Sequence, residues 1–261
     1  MGDRTYSLAR KTWDSDFFGR EIYSLNLEES AWDTNLATEV AELDRQGVWG
    51  IECELDASHF DLAPSLEDLG FRLVDSRMVF ISKMSQGDQY ASEPPYGTFR
   101  LACRADLAAV SELTATCLVD NDAFKSRYNN RRLFSREESV RYYDAWNHRA
   151  FTEAPGTFVL WDVEGAVVAY FNYIPSGEFD GLPMFKGVLT AVHRDHRGHG
   201  VQNTMQGYLF NSFGCDEWAL DNTTQMTNVI VIKNHMRANK QFQTCSLIFY
   251  RVRNPAGSHG H

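Results

Sequence analysis

Apolar positions along this chain change their spacing repeatedly, and the changes outline alternating strands and helices. "REIYSLNL" (20–27) alternates like a half-buried strand. "AWDTNLATEVAELDRQ" (31–46) repeats every three to four residues and places Leu36, Val40 and Leu43 on one helix face. "GIECELD" (50–56) predicts a short strand, "SLEDLGF" (65–71) a short helix ended by Gly70, and "FRLVDSRMVFISKM" (71–84) another strand. Further on, "TFRLAC" (98–103) predicts a strand and "RADLAAVSELTATC" (104–117) a helix with Asp106 near its start. Residues 156–177 predict two strands around a Glu164-Gly165 turn. A strand then ends at Val192 and a helix runs to about Phe213. "EWALDNTTQ" (217–225) predicts a strand, "NVIVIKNHMRA" (228–238) a helix capped by Asn228, and "FQTCSLIFYRVR" (242–253) the last strand.

The alternation is that of an α/β (α+β) protein. The polar stretch "SQGDQYASEPPYG" (85–97), with Pro94-Pro95, has almost no aliphatic content and predicts a linker. The expected division is a small α/β domain over 1–85, a linker over 86–97, a second domain over 98–254 and a flexible tail over 255–261.

Composition narrows the class. The chain has 261 residues and a net charge of -10, which argues against a nucleic-acid partner. No apolar run reaches the roughly 18 residues that span a bilayer, and no signal-peptide core opens the chain, so no membrane partner is expected. Tyr6 stands where a myristoylation signal needs Ser or Thr. The five cysteines, Cys53, Cys103, Cys117, Cys215 and Cys245, are widely spaced and form no CxxC pair. A disulfide framework and a zinc site are therefore not expected, and a reducing cytoplasm is the expected location.

Between the strand "MFKGVLTAV" and the helix that follows lies "HRDHRGHGVQN" (193–203), basic and glycine-spaced in an acidic chain. A glycine loop at a helix start aims several N–H groups at one point and adds the positive end of the helix dipole, which suits a pyrophosphate. The donors here are the amides of Arg197, Gly198, His199, Gly200, Val201 and Gln202. Asn203 occupies the third glycine position of a dinucleotide-binding GxGxxG loop, and GxxxxGK[ST] is absent. His193, His196 and His199 are clustered, but no carboxylate or Cys pattern completes a metal site, and the default for them is a solvated loop. Segment 118–152 mixes Lys125, Arg127, Arg131 and Arg132 with Phe124, Tyr128, Phe134, Tyr142, Tyr143 and Trp146. It reads either as an amphipathic helix pair with a solvated basic edge or as one wall of an anionic, ring-containing acceptor pocket.

Arg197-Gly198-His199-Gly200-Val201-Gln202 resembles the acyl-CoA loop of the GNAT superfamily of N-acyltransferases, Arg or Gln, two residues, Gly, one residue, then Gly or Ala, departing from it at Gln202. The order of elements after residue 97 is also similar to that fold. "KTWDSDFFGREIYSLNL", "LEDLGFRLVDSRMVF" and "TQMTNVIVIKNHMRANKQFQTCSLIFYR" look like the bacterial TDP-fucosamine N-acetyltransferase family. The resemblance implies a mixed, splayed central sheet flanked by helices, preceded by a small α/β domain. It implies acetyl-CoA or another acyl-CoA as cosubstrate, no metal, and a dTDP-linked 4-amino-4,6-dideoxyhexose as acceptor.

On the same resemblance, Thr190, Ala191 and Val192 end the strand whose free backbone pairs with the pantetheine arm, and Asn228 lies beside that arm. Arg127, Tyr128, Arg131, Arg132 and Tyr143 would line the acceptor pocket. His235 stands where the family carries a tyrosine acid for the departing thiolate. An imidazolium there could donate that proton, with Tyr250 as a substitute. Related enzymes pair through the C-terminal sheet, which implies a homodimer. Two other readings stay open: a GNAT enzyme for another small amine, and a non-catalytic acyl-CoA-binding module.

Overall fold

A computed structural model describes residues 6–27, 35–85, 90–121, 126–213 and 216–253. In chain order the strands and α-helices are β1 (Tyr6–Arg10), α1 (Thr12–Phe18), β2 (Ile22–Leu27), α2 (Asn35–Arg45), β3 (Gly50–Asp56), α3 (Ala63–Asp68), β4 (Arg72–Ser85), β5 (Thr98–Leu101), α4 (Leu107–Thr114), α5 (Arg136–Glu153), β6 (Phe158–Val163), β7 (Ala166–Phe179), β8 (Leu182–Val192), α6 (Val201–Phe213), β9 (Glu217–Thr224), α7 (Val229–Arg237) and β10 (Gln241–Val252). No helix among the described residues is long and apolar enough to cross a membrane.

The chain divides into two compact units, residues 1–77 with 244–261, and residues 78–243. The divisions fall inside β4 and β10, not in the expected linker at 86–97. Of that linker, residues 86–89 lie outside the described residues, as does the tail expected at 255–261.

In the first unit β1 pairs antiparallel with β2, and β2 runs parallel to β3. Ser246–Val252 of β10 then pairs antiparallel with Gly50–Asp56. The expected helix face is confirmed, since Leu36, Val40 and Leu43 of α2 are all buried. They join Leu25, Ile51, Leu66, Phe71, Leu247 and Phe249 in one core. β1 and α1 carry no clear periodicity in sequence. Arg10 of β1 bonds Glu21 and Asp16, and Ser15 of α1 exchanges two hydrogen bonds with Ile22.

The second unit is a mixed α/β layer in which Met78–Ser85 of β4, then β9, β8, β7, β6 and β5 are hydrogen-bonded in that order. β8 and β9 are parallel, and the other neighbours are antiparallel. A parallel pair needs a crossover, and α6 supplies it. Met205, Leu209 and Phe210 of α6 are buried against Val159, Trp161, Ala169, Trp218 and Leu220 of the sheet. α4 and α5 contribute Val110, Leu113 and Phe151 to a separate core with Phe158, Leu160 and Tyr170. The helix predicted from Arg104 is subdivided. A 3-10 turn at Arg104–Asp106 precedes α4, and a π-helical turn at Ala115–Val119 follows it.

Candidate functional site

β8 pairs with β9 only from Met184↔Ala219 to Gly187↔Asn222. Beyond Gly187 the two strands part, so the β9-facing backbone groups of Val188–Val192 have no strand partner among the described residues. The register on the other edge shifts at the same place, from Tyr173↔Gly187 to Asn172↔Leu189, which leaves Val188 as a bulge. Gly187 marks the onset of this notch. A Cβ there would stand 3.0 Å from the Phe171 ring and 3.4 Å from the Asp221 carbonyl oxygen. Thr190, Ala191 and Val192 continue along the open edge, paired with β7 alone. A bulge next to a freed strand edge offers backbone donors that can hold an amide-bearing ligand or polarise a carbonyl oxygen.

β8 leads into the glycine loop. His193 N–H bonds the Val168 carbonyl, and a 3-10 turn at Arg194–His196 follows. Gly198 and Gly200 have φ of 89° and 69°, the left-handed region that favours glycine. Helix-type bonds begin with Asn203 and Thr204 donating to Gly200 O. The first-turn amides of Val201 and Gln202 therefore project beyond the helix with those of Gly198, His199 and Gly200. The loop is exposed from Arg197 to Gly200, whereas Val201 is buried and Gln202 half-buried.

Arg197 anchors the loop by donating from Nε to Val192 O at 2.9 Å, and it pairs with no carboxylate among the described residues. The buried Cys117 thiol donates to the same oxygen at 3.4 Å. Burial raises the Cys117 pKa and Arg197 opposes the rise, so the thiol stays protonated. Tyr96 braces the other side, where its hydroxyl lies 2.9 Å from His196 Nδ1 and its ring meets His199 edge-on. Trp161 Nε1 in turn donates to Tyr96 O at 2.7 Å. The sequence does not show this brace, because Tyr96 and Trp161 are 65 positions apart.

Asn228 caps α7, its Oδ1 accepting from Val231 N–H at 3.5 Å. His235 lies on the last turn of α7 at 1% exposure, with neither ring nitrogen hydrogen-bonded. Its ring is 5.1 Å from that of Phe80. Burial first, and the charge of Lys240 second, push its pKa down to about 3. At neutral pH the ring is therefore uncharged, and the expected imidazolium donor does not fit this environment. The other expected donor, Tyr250, is buried in the first unit, with its ring against Gly50 and Trp49.

The described residues of the basic, aromatic segment are held by contacts with one another, and Phe124 and Lys125 lie outside the described residues. Tyr128 and Tyr143 are buried rather than open to a ligand. Tyr128 stacks on Tyr142 at 4.2 Å, Arg127 lies over the Tyr128 ring at 4.5 Å, and Tyr143 bonds Ser126 at 3.0 Å. Arg131 donates to Ser139 Oγ and to Val119 O. Val119 ends the π-helical turn that also holds Cys117, so the segment is tied to the end of β8. Arg132 is exposed, and its guanidinium makes no ion pair among the described residues. α5 starts with a reciprocal cap, Ser135 Oγ accepting from Glu138 N–H and Glu138 accepting from Ser135 N–H. The Ser-x-x-Glu spacing is the sequence signature of that cap. No group of three or more His, Cys, Asp or Glu among the described residues could hold a metal ion.

No protein-family model and no curated protein sequence matches the chain. Solved structures do. A GCN5-related N-acetyltransferase from Sphaerobacter thermophilus aligns over 97% of this chain and 78% of its own, with a TM-score of 0.60 and 15% identity. A tandem GNAT protein from the clavulanic acid biosynthesis pathway aligns over 91% and 77%, with a TM-score of 0.53 and 12% identity. A GCN5-related glucosamine N-acetyltransferase region of a fungal multi-domain GH3 beta-N-acetylglucosaminidase aligns over 88% of this chain and 30% of that one, with a TM-score of 0.56 and 10% identity. The parted parallel strands, the glycine loop and the helix it opens thus lie in a chain with the GCN5-related N-acetyltransferase fold.

Proposed function

We propose that this protein transfers an acyl group, acetyl in the simplest case, from acyl-coenzyme A to the amine of a small acceptor. The observation that carries the reading is the parting of β8 from β9 after Gly187, directly upstream of a phosphate-type loop at a helix start. An extended amide-bearing arm fits along Thr190, Ala191 and Val192, with its pyrophosphate on the amides of Gly198–Gln202. Asn228 stands at the start of α7, after β9. A backbone amide freed by the bulge at Val188 would polarise the thioester carbonyl. A neutral amine would attack that carbon directly, its nitrogen would lose a proton to water as the C–S bond breaks, and the thiolate would take up a proton from water or a solvent-linked group. His235 is not assigned that step, because it is neutral and buried.

The acceptor we propose is a nucleotide-linked amino sugar, a dTDP-4-amino-4,6-dideoxyhexose, with Arg132 as the exposed cation that meets a phosphate. Arg127, Arg131, Tyr128 and Tyr143 would shape that wall from behind. The reading carries with it a cytoplasmic enzyme, no nucleic-acid or membrane partner, and a homodimer through the C-terminal sheet.

Release of free coenzyme A from acetyl-CoA, measured with a panel of dTDP-amino sugars and of unrelated amines, tests it. Prompt release with a dTDP-4-amino sugar supports both halves of the proposal. Release only with other amines keeps the transferase and removes the sugar. Tight coenzyme A binding without release under any amine would mean a binding module, the reading that the buried His235 favours.

A further inference from the structure

β9 has the notch on its β8 edge and β4 on its other edge. Beside β4 lies a cavity of about 330 Å³, walled by Ser82 and Met84 of β4, by Tyr90, by Asn203 and Gln206 of α6, and by Lys240 in the turn after α7. Lys240 is 8% exposed. Its Nζ donates to Gln206 Oε1 at 2.8 Å and to Asn222 Oδ1 at 3.0 Å. Gln206 Nε2 also donates to Asn222 Oδ1, at 2.6 Å, and Asn222 Nδ2 donates to Ser82 Oγ and Leu220 O.

This network is satisfied at every amide but unbalanced in charge. An ammonium has three N–H donors, and two are used. No carboxylate pairs with Nζ among the described residues. The neighbouring titratable groups supply no anion. His235 is buried and neutral, the Tyr90 hydroxyl accepts from Ser85 N–H, and Lys83 is a second cation already paired with Asp180 at 2.7 Å. Taking an ammonium out of water without a counter-ion is costly, and burial brings the Lys240 pKa down to about 7. A site that only filled space would be better served by methionine.

We infer that this cavity binds a small organic carboxylate, whose anionic head supplies the missing counter-ion at Lys240 Nζ and whose apolar tail lies against Met84 and Tyr90. One spare donor on one cation suits a carboxylate better than a phosphate dianion, which calls for several donors. The volume is at the small end for ligand cavities and has room for a short acid. The cavity lies on the β4 edge of β9 and the notch on the β8 edge, with α6 bordering the cavity, so the inference does not require the acyl-CoA reading.

The test is calorimetric titration of the full chain with butyrate and with butyramide, which matches it in shape without the charge. It is run near pH 8 in two buffers of different ionisation heat. At that pH Lys240 is mostly deprotonated, so a bound carboxylate must draw a proton in. Butyrate should bind with uptake approaching one proton per site, and more tightly as the pH is lowered toward 6.5. Butyramide should bind at least ~10-fold more weakly. Lys240→Met, and Lys240→Gln if the first variant folds poorly, should abolish the preference while leaving coenzyme A affinity unchanged. Equal binding of the two ligands, butyrate binding without proton uptake, unchanged butyrate binding in a folded Lys240 variant, or no butyrate binding to the native chain would each overturn the inference.

Discussion

Arg197 and Val192 close the base of the glycine loop, the arginine Nε donating to the valine carbonyl oxygen at 2.9 Å. The bond leaves the rest of a planar cation at the loop's edge, beside amides that point outward. Arg197→Ala should raise the dissociation constant for coenzyme A about tenfold, roughly 1.4 kcal/mol, by titration calorimetry. Arg197→Lys should recover little, because an ammonium has no fixed Nε–H to keep this contact. The side chain is exposed, so folding stability should change by no more than about 0.5 kcal/mol.

Gly200 offers a separate handle on the same loop. A Cβ there would meet nothing within 4 Å, so space is not the constraint, but its φ of 69° is. Gly200→Ala should cost about 1 kcal/mol through the left-handed backbone alone. Coenzyme A affinity should fall several-fold without overall unfolding. An unchanged affinity would place the phosphate elsewhere.

For His235 the prediction is that catalysis does not need it. His235→Phe should retain most of kcat, since a ring of similar size replaces one with two unsatisfied nitrogens against Phe80. The variant should also alter the pH dependence of stability. An unfolded histidine takes up a proton at its model value of 6.5, whereas folded His235 does so only near pH 3. Between these values the unfolded chain holds the extra proton. Stability is therefore complete above pH 6.5 and falls as the pH is lowered toward 3. Urea unfolding near pH 4.5 should show the variant spared a loss on the order of 2 kcal/mol.

Arg132→Ala should separate acceptor from cofactor. KM for a dTDP-amino sugar should rise about tenfold, while coenzyme A affinity stays within a factor of ~2 of native. A rise in both constants would mean that Arg132 serves the cofactor.

The glycine loop was legible because its information is local. Two positive-φ glycines, a basic residue and the helix after them occupy adjacent positions, and the structure arranges them as the spacing suggests. The notch was not legible from pattern alone. Nothing in "MFKGVLTAV" states where pairing with β9 stops, since that depends on register with residues 219–222. His235 misled for a similar reason. The spacing shows its helix position, but its buried ring packs against Phe80, on a strand 155 positions earlier. Nothing local in the sequence marks Lys240, because its partners Gln206 and Asn222 are remote and uncharged. Tyr128 and Tyr143 are buried, which the aromatic pattern alone does not tell apart from an open pocket wall.

Strand β10 has a consequence for the order in which the protein can be made. Its Ser246–Val252 completes the sheet begun by β1, β2 and β3, and Arg251 grips Asp44 with two bonds of 2.6 and 2.5 Å across 207 positions. On the ribosome residues 6–77 emerge before the second unit, yet the strand that completes their sheet is translated only after residues 78–243. The first unit must wait, partly formed and with the β3 edge unpaired, while the second has nearly its whole sequence available. A nascent chain stalled before residue 246 should thus be more protease-sensitive within residues 6–77 than within the second unit.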